Sequence, residues 1–190
     1  MLFRSEYLAS EIRKNQTDAN NAICKEFGGR VKWVQADSST YDPQAEFDMV
    51  FTCPPYYKVE TYLDYDGKSP EGEINSLPTY EEFRDILFKG YAIAIRRLKQ
   101  DRFFVIMTGD SRDKNGAYYC SEAETEIFLK EQGLSVYNRI VYLECEFTRL
   151  AHAKTTLNTR KFPKREQKII VAYKGDIKNI KNNFKAIGRL

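Results

Sequence analysis

The sequence has little of what most readily carries catalysis or crosslinks. One histidine, His152, stands in 190 residues, which leaves little room for imidazole acid–base chemistry or a histidine-bound metal. The four cysteines, Cys24, Cys53, Cys120 and Cys145, are far apart and form no CxxC pair. That spacing suggests neither a structural zinc site nor a disulfide framework, and reduced thiols fit it better. No apolar run approaches the roughly 20 residues of a membrane span. Residues 1–10 show no basic stretch leading into an apolar core, so no signal peptide is visible. The expectation is a cytoplasmic protein with no membrane partner and no metal. Repeats and low-complexity segments are also missing. With 42% hydrophobic and 30% charged residues, the composition is that of a globular domain, and residues 1–190 read as one domain.

Charge is unevenly placed. Residues 1–138 carry 17 basic against 23 acidic side chains, a net of −6, whereas residues 139–190 carry 13 against 4, a net of +9. A basic C-terminal part on an acidic body suits a polyanion contacted from one side. A solvated lysine-rich tail is the plain alternative, and charge alone does not choose between them.

Strand and helix patterns alternate. Tyr7-Leu8-Ala9 reads as the end of a strand. Asn15 to Phe27 reads as a helix stopped by Gly28-Gly29. Val31 to Ala36 and Phe47 to Thr52 read as strands, the second ended by Pro54-Pro55. Residues 57–78 are polar and unusually long for a loop, a length that goes with function or mobility. Thr79 with Glu82 is a capping-box signature opening a helix to Lys99, with Phe83, Leu87, Tyr91, Ile95 and Leu98 on one face. Arg102 to Thr108 reads as a buried strand, Ser121 with Glu124 as a second capping box for a helix to Gln132, and Leu134 to Leu143 and Gln167 to Tyr173 as two last strands. The pattern predicts an α/β fold with a mostly parallel sheet and an antiparallel edge.

The most informative stretch is Phe51-Thr52-Cys53-Pro54-Pro55-Tyr56. In an open α/β sheet, ligands bind at the carboxyl ends of the strands. There, two prolines without N–H groups leave carbonyls as acceptors for an amino group, and Tyr56 offers a flat face for a planar ring. A strand terminator followed by core aromatics is the alternative reading of the same residues.

In this stretch the sequence resembles the amino-group DNA methyltransferases, whose hallmark is Asp, Asn or Ser followed by Pro-Pro and an aromatic. It stands here as Cys53-Pro54-Pro55-Tyr56. LASEIRKNQTDANNAI (Leu8 to Ile23) resembles the family's second motif, and Glu11 matches the acidic residue that holds the cofactor ribose. VKWVQADS (Val31 to Ser38) resembles the third, and Asp37 matches the acidic residue near the cofactor adenine; a solvated Glu11 beside Arg13 and Lys14, and an Asp37 that caps the following turn with Ser38, are the plain alternatives. RFFVIMTGDSRDKNG and TRKFPKREQKIIVAYKGD resemble the later strands of phage- and plasmid-type members. The resemblance spans roughly residues 6–176. It implies a Rossmann-like methyltransferase fold, S-adenosylmethionine as cofactor, and transfer of a methyl group to adenine N6 or cytosine N4 of double-stranded DNA in a bacterial or phage-infected cell. Phe51 and Thr52 would complete the cofactor side, with Cys53, Pro54, Pro55 and Tyr56 at the target base. That base would be flipped from the duplex and stacked on Tyr56, with loop 57–78 closing over it. Arg149, Lys154, Arg160, Lys161, Lys164 and Arg165 would contact phosphates.

Two departures stand out. Cys53 is a weak acceptor where the family has a carboxylate, amide or hydroxyl, which shifts the amine onto the Pro54 carbonyl. The glycine-rich first motif is absent, since Gly28-Gly29 follows a helix and does not lie between strand and helix. The expectation is therefore an N-terminally truncated domain lacking its first strand. The family's sheet runs three, two, one, four, five, seven, six, so it should fall into two pieces, or strands two and four should be drawn together across the gap, with strands four, five, seven and six intact. An RNA or protein amino-methyltransferase and an inactive nucleic-acid-binding remnant remain open beside the DNA enzyme.

Overall fold

The computed structural model describes residues 5–143, 157–162, 164 and 166–184. The chain forms two compact units, one of Met1–Ala45 with Pro55–Arg97 and the other of Glu46–Pro54 with Leu98–Leu190.

In the first unit, β1 (Tyr7–Glu11) and β2 (Val31–Gln35) pair in parallel, with Tyr7 opposite Val31 and Glu11 opposite Gln35. They are joined by α1 (Lys14–Ile23) and a 3-10 turn, Cys24–Phe27. Gly28 closes that turn at φ +62°, the left-handed conformation that glycine takes without a Cβ penalty. The Asn21 side chain pins α1 to β2: its amide donates to the Trp33 carbonyl and its oxygen accepts the Trp33 N–H, at 2.9 and 3.0 Å.

The Thr79–Glu82 capping box forms as the sequence predicts. Glu82 N–H donates to Thr79 Oγ1 at 3.3 Å, and Thr79 N–H donates back to Glu82 Oε2 at 3.1 Å. It opens α2 (Tyr80–Arg97), which buries Phe83, Tyr91 and Ile95. The helix ends two residues before the expected Lys99, because strand β4 begins directly at Leu98. Arg96 and Arg97 in its last turn hold Asp42 at 3.0 and 2.5 Å. Those guanidinium bonds, Arg97's first, lower the Asp42 pKa to about 2.

In the second unit, β3 (Phe47–Thr52), β4 (Leu98–Thr108), β5 (Ser135–Leu143) and β6 (Glu166–Lys174) form one sheet in the order β3-β4-β6-β5. β3 runs parallel to β4, and β6 runs antiparallel to both β4 and β5. β6 is thus the reversed strand, and the edge pair is antiparallel. The sheet stands in two pieces, β1-β2 and this one. The strands read as four, five, seven and six keep that order. Phe104, Ile106, Ile170, Ala172 and Tyr173 are buried at the centre, with Leu129 of α3 (Ser121–Glu131) above them.

The second capping box is a correction. The N-cap position of α3 is Cys120, in a left-handed conformation and without a side-chain cap. The end group is supplied from further back in the sequence: Asp110 Oδ1 accepts both the N–H and the hydroxyl of Ser121, at 2.5 and 2.8 Å.

Candidate functional site

Parallel pairing puts the ends of β1 and β2 on one edge. Glu11 is the last residue of β1, and the N–H of Ala36, just past β2, donates to its carbonyl at 3.1 Å. Asp37 follows Ala36, so Glu11 and Asp37 occupy the same carboxyl edge. Glu11 Oε1 accepts the backbone N–H and the Nε–H of Arg13 at 3.0 and 3.1 Å, while Oε2 has the longer 3.4 Å bond from Nη2. Asp37 Oδ1 accepts the N–H of Ser39 at 2.8 Å. In both carboxylates one oxygen is fixed by backbone and the other is the more available acceptor.

Loop 57–78 is held down on this edge, where the sequence suggests a mobile segment. Asp64 caps α1, accepting the N–H groups of Lys14 and Asn15 at 2.9 and 3.0 Å. These bonds, with that from Tyr65, hold its carboxyl below the usual aspartate range. The Arg13 guanidinium lies over the Tyr62 ring at 4.8 Å, so one arginine ties the loop to Glu11. Gly72 sits against Asp37: a Cβ there would stand 3.3 Å from Oδ2. Asn75 is buried, donating from its side-chain amide to the Glu60 carbonyl. No local pattern in the sequence flags Asp64 or Tyr62, because their partners lie about fifty residues away in the chain.

In the second unit, Phe51 and Thr52 end β3 beside Val105 and Ile106 of β4. Phe51 is exposed, Thr52 half-buried, Cys53 exposed and Pro54 buried. The chain passes to the first unit between Pro54 and Pro55. Pro55 and Tyr56 are half-buried there, while Tyr57 is the core aromatic. Its hydroxyl reaches the Leu77 and Pro78 carbonyls, both at 3.0 Å, and its ring packs on Tyr80 and Phe83. The Pro-Pro-aromatic stretch therefore divides its labour, with the second tyrosine structural and the first less enclosed.

Of the basic residues, Arg149, Lys154 and Arg165 lie outside the described residues. Arg160 is exposed. Lys164 donates to the Asp110 carbonyl at 3.0 Å, at the end of β4. Nearby, burial and the Asp110 charge raise the Glu122 carboxyl, against the opposing pull of Lys164 and Lys168. Among the described residues no helix is long and apolar enough to cross a membrane, and no group of acidic, Cys or His side chains gathers as a metal site.

No family model and no curated protein sequence matches the chain. Solved structures do. A Thermus thermophilus protein described as a DNA modification methylase, in complex with S-adenosylmethionine, matches with a TM-score of 0.51 at 16% identity, covering 90% of this chain and 56% of its own. An S-adenosylmethionine-dependent methyltransferase of Clostridium acetobutylicum matches with a TM-score of 0.52 at 12% identity, over 92% of this chain and 86% of its own. A protein of Clostridium thermocellum described as an rRNA methylase gives 0.51 at 12% identity, over 89% and 75%. The chain thus has the Rossmann-like fold of these methyltransferases, and it spans about half the length of the Thermus protein.

Proposed function

We propose that the chain belongs to an S-adenosylmethionine-dependent methyltransferase acting on the exocyclic amino group of adenine (N6) or cytosine (N4) in DNA. The observation that carries this reading is the position of Cys53-Pro54-Pro55-Tyr56, directly at the carboxyl end of β3 in a sheet ordered β3-β4-β6-β5. That is where such a fold gathers its ligands.

The residues present fit the adenosine half of the cofactor. Glu11 and Asp37 share one strand edge, and each has one oxygen that accepts no backbone N–H, Glu11 for a ribose diol and Asp37 for the adenine. When bound, S-adenosylmethionine supplies an electrophilic methyl on a sulfonium that leaves without acid assistance. The chain's own task is orientation. The Pro54 carbonyl accepts from the target amine and favours the pyramidal nitrogen whose lone pair has left conjugation with the ring, and Tyr56 stacks on the base. The exposed Cys53 contributes little as an acceptor. Arg160, Lys161 and Lys164, with Arg149, Lys154 and Arg165, contact the phosphates.

The test is transfer of tritiated methyl from S-adenosylmethionine to duplex DNA, RNA and protein, run on this chain and on any longer product of the same reading frame. The expected result is label in DNA, released on digestion as N6-methyladenine or N4-methylcytosine. Label confined to RNA or protein, or DNA binding without transfer by every product, would overturn it.

A further inference from the structure

Between β4 and α3, residues 109–120 fold back as a small hairpin. Arg112 and Tyr118 pair as an antiparallel bridge, and the Asp113 N–H donates to the Ala117 carbonyl at 2.8 Å. The two acids of this loop are turned inward. Asp113 Oδ1 accepts the N–H groups of Asn115 and Ala117 at 2.9 and 2.8 Å, and Asp110 caps α3 through Ser121.

The cations behave differently. The Arg112 guanidinium carbon lies over the Tyr118 ring, 3.6 Å from its centre, and Nη1 donates to the Gly116 carbonyl at 2.7 Å. From the connection before β6, Lys161 sets its ammonium against Gly116, where any Cβ would collide with it. Gly116 is at φ +93°, so both its conformation and its missing side chain admit the lysine. Two cations from distant parts of the chain end on one glycine. Neither is ion-paired to a carboxylate among the described residues. Like charges brought together repel, and an anion set between them turns that repulsion into attraction.

We infer that Gly116 marks the seat of a backbone phosphate of duplex DNA, gripped by Arg112 and Lys161 together. The guanidinium, fixed by Tyr118, offers a planar fork to phosphate oxygens, and the ammonium adds a point charge. The inference rests on the DNA reading above and adds Arg112 and Gly116 to the surface that would meet the duplex.

The experiment is fluorescence anisotropy with the chain and a dye-labelled DNA duplex, titrated across a range of salt. Arg112→Ala with Lys161→Ala should weaken binding about tenfold and flatten the slope of log affinity against log salt by about one, the contribution of a single phosphate. The single variants should not add, because both groups hold the same anion. Gly116→Ala should give a similar loss with both cations still present. Circular dichroism confirms folding, and Lys25→Ala with Lys32→Ala, in the other unit, should bind as wild type. Wild-type binding with an unchanged slope in the double variant would overturn the seat and leave the DNA reading standing. Failure of the wild-type chain to bind any duplex would overturn both. Tighter binding to an RNA duplex of the same sequence would overturn DNA as the occupant.

Discussion

Asp64 accepts the backbone N–H of Asn15 at 3.0 Å, so a residue of the long polar loop caps the helix that follows β1. Its folded pKa is held below the ordinary value by that bond and by its neighbour from Lys14. The cap's contribution is therefore complete above about pH 4, the unfolded value, and fades as pH falls through the folded one. Asp64→Asn should lower the Tm by about 2–4 °C at pH 7. The gap between variant and wild type should close on acidification toward pH 2. An equal gap at both pH values would show that the carboxylate charge plays no part.

Tyr56 and Tyr57 should separate activity from stability. Tyr57→Phe loses a hydroxyl that donates to the Leu77 and Pro78 carbonyls and should destabilise by about 0.5–1.5 kcal/mol in urea melts. Tyr56→Ala should leave the melt within about 1 kcal/mol while methyl transfer falls sharply. Equal loss of stability in both would mean that Tyr56 is a core residue.

Glu11→Gln removes the charge offered to a ribose diol. A charge-assisted hydrogen bond contributes about 1.5–3 kcal/mol, so S-adenosylmethionine binding measured by calorimetry should weaken roughly tenfold to a hundredfold. Unchanged affinity would remove Glu11 from the cofactor site.

Cys53 is exposed and a poor acceptor, so Cys53→Ala should keep methyl transfer within roughly threefold of wild type. Cys53→Ser, which restores a better acceptor, should equal or exceed it. Abolition of transfer by Cys53→Ala in a folded protein would give the thiol a role that its chemistry does not suggest.

Local patterns were legible where the interacting groups lie close in sequence and no more distant group displaces them. Thr79 and Glu82 sit three residues apart, and their capping box forms as read. Ser121 and Glu124 carry the same signature, yet Asp110 takes the place of the cap from eleven residues upstream. The alternation of apolar residues marks β3 at Phe47–Thr52 to the residue, and it cannot show that β6 inserts between β4 and β5. Glu11 and Asp37 could be picked by resemblance, and parallel pairing of β1 with β2 explains their shared edge. What tethers loop 57–78 was hidden, because Tyr62 and Asp64 find Arg13 and the start of α1 across about fifty residues.

The pairing of β3 with β4 sets a waiting time during synthesis. β3 leaves the ribosome with its only partner among the described strands still unmade: β4 begins at Leu98, 46 residues after Thr52. At about 5–20 residues per second, the strand stands alone for roughly 2–9 s, with Met49 and Phe51 available to any passing edge. Asp48, the second residue of that strand, later joins Lys99 and Arg102 at 3.0 and 3.1 Å. Until those two arrive its charge is uncompensated, and an unpaired charge in an apolar strand opposes wrong pairing with a neighbouring nascent chain.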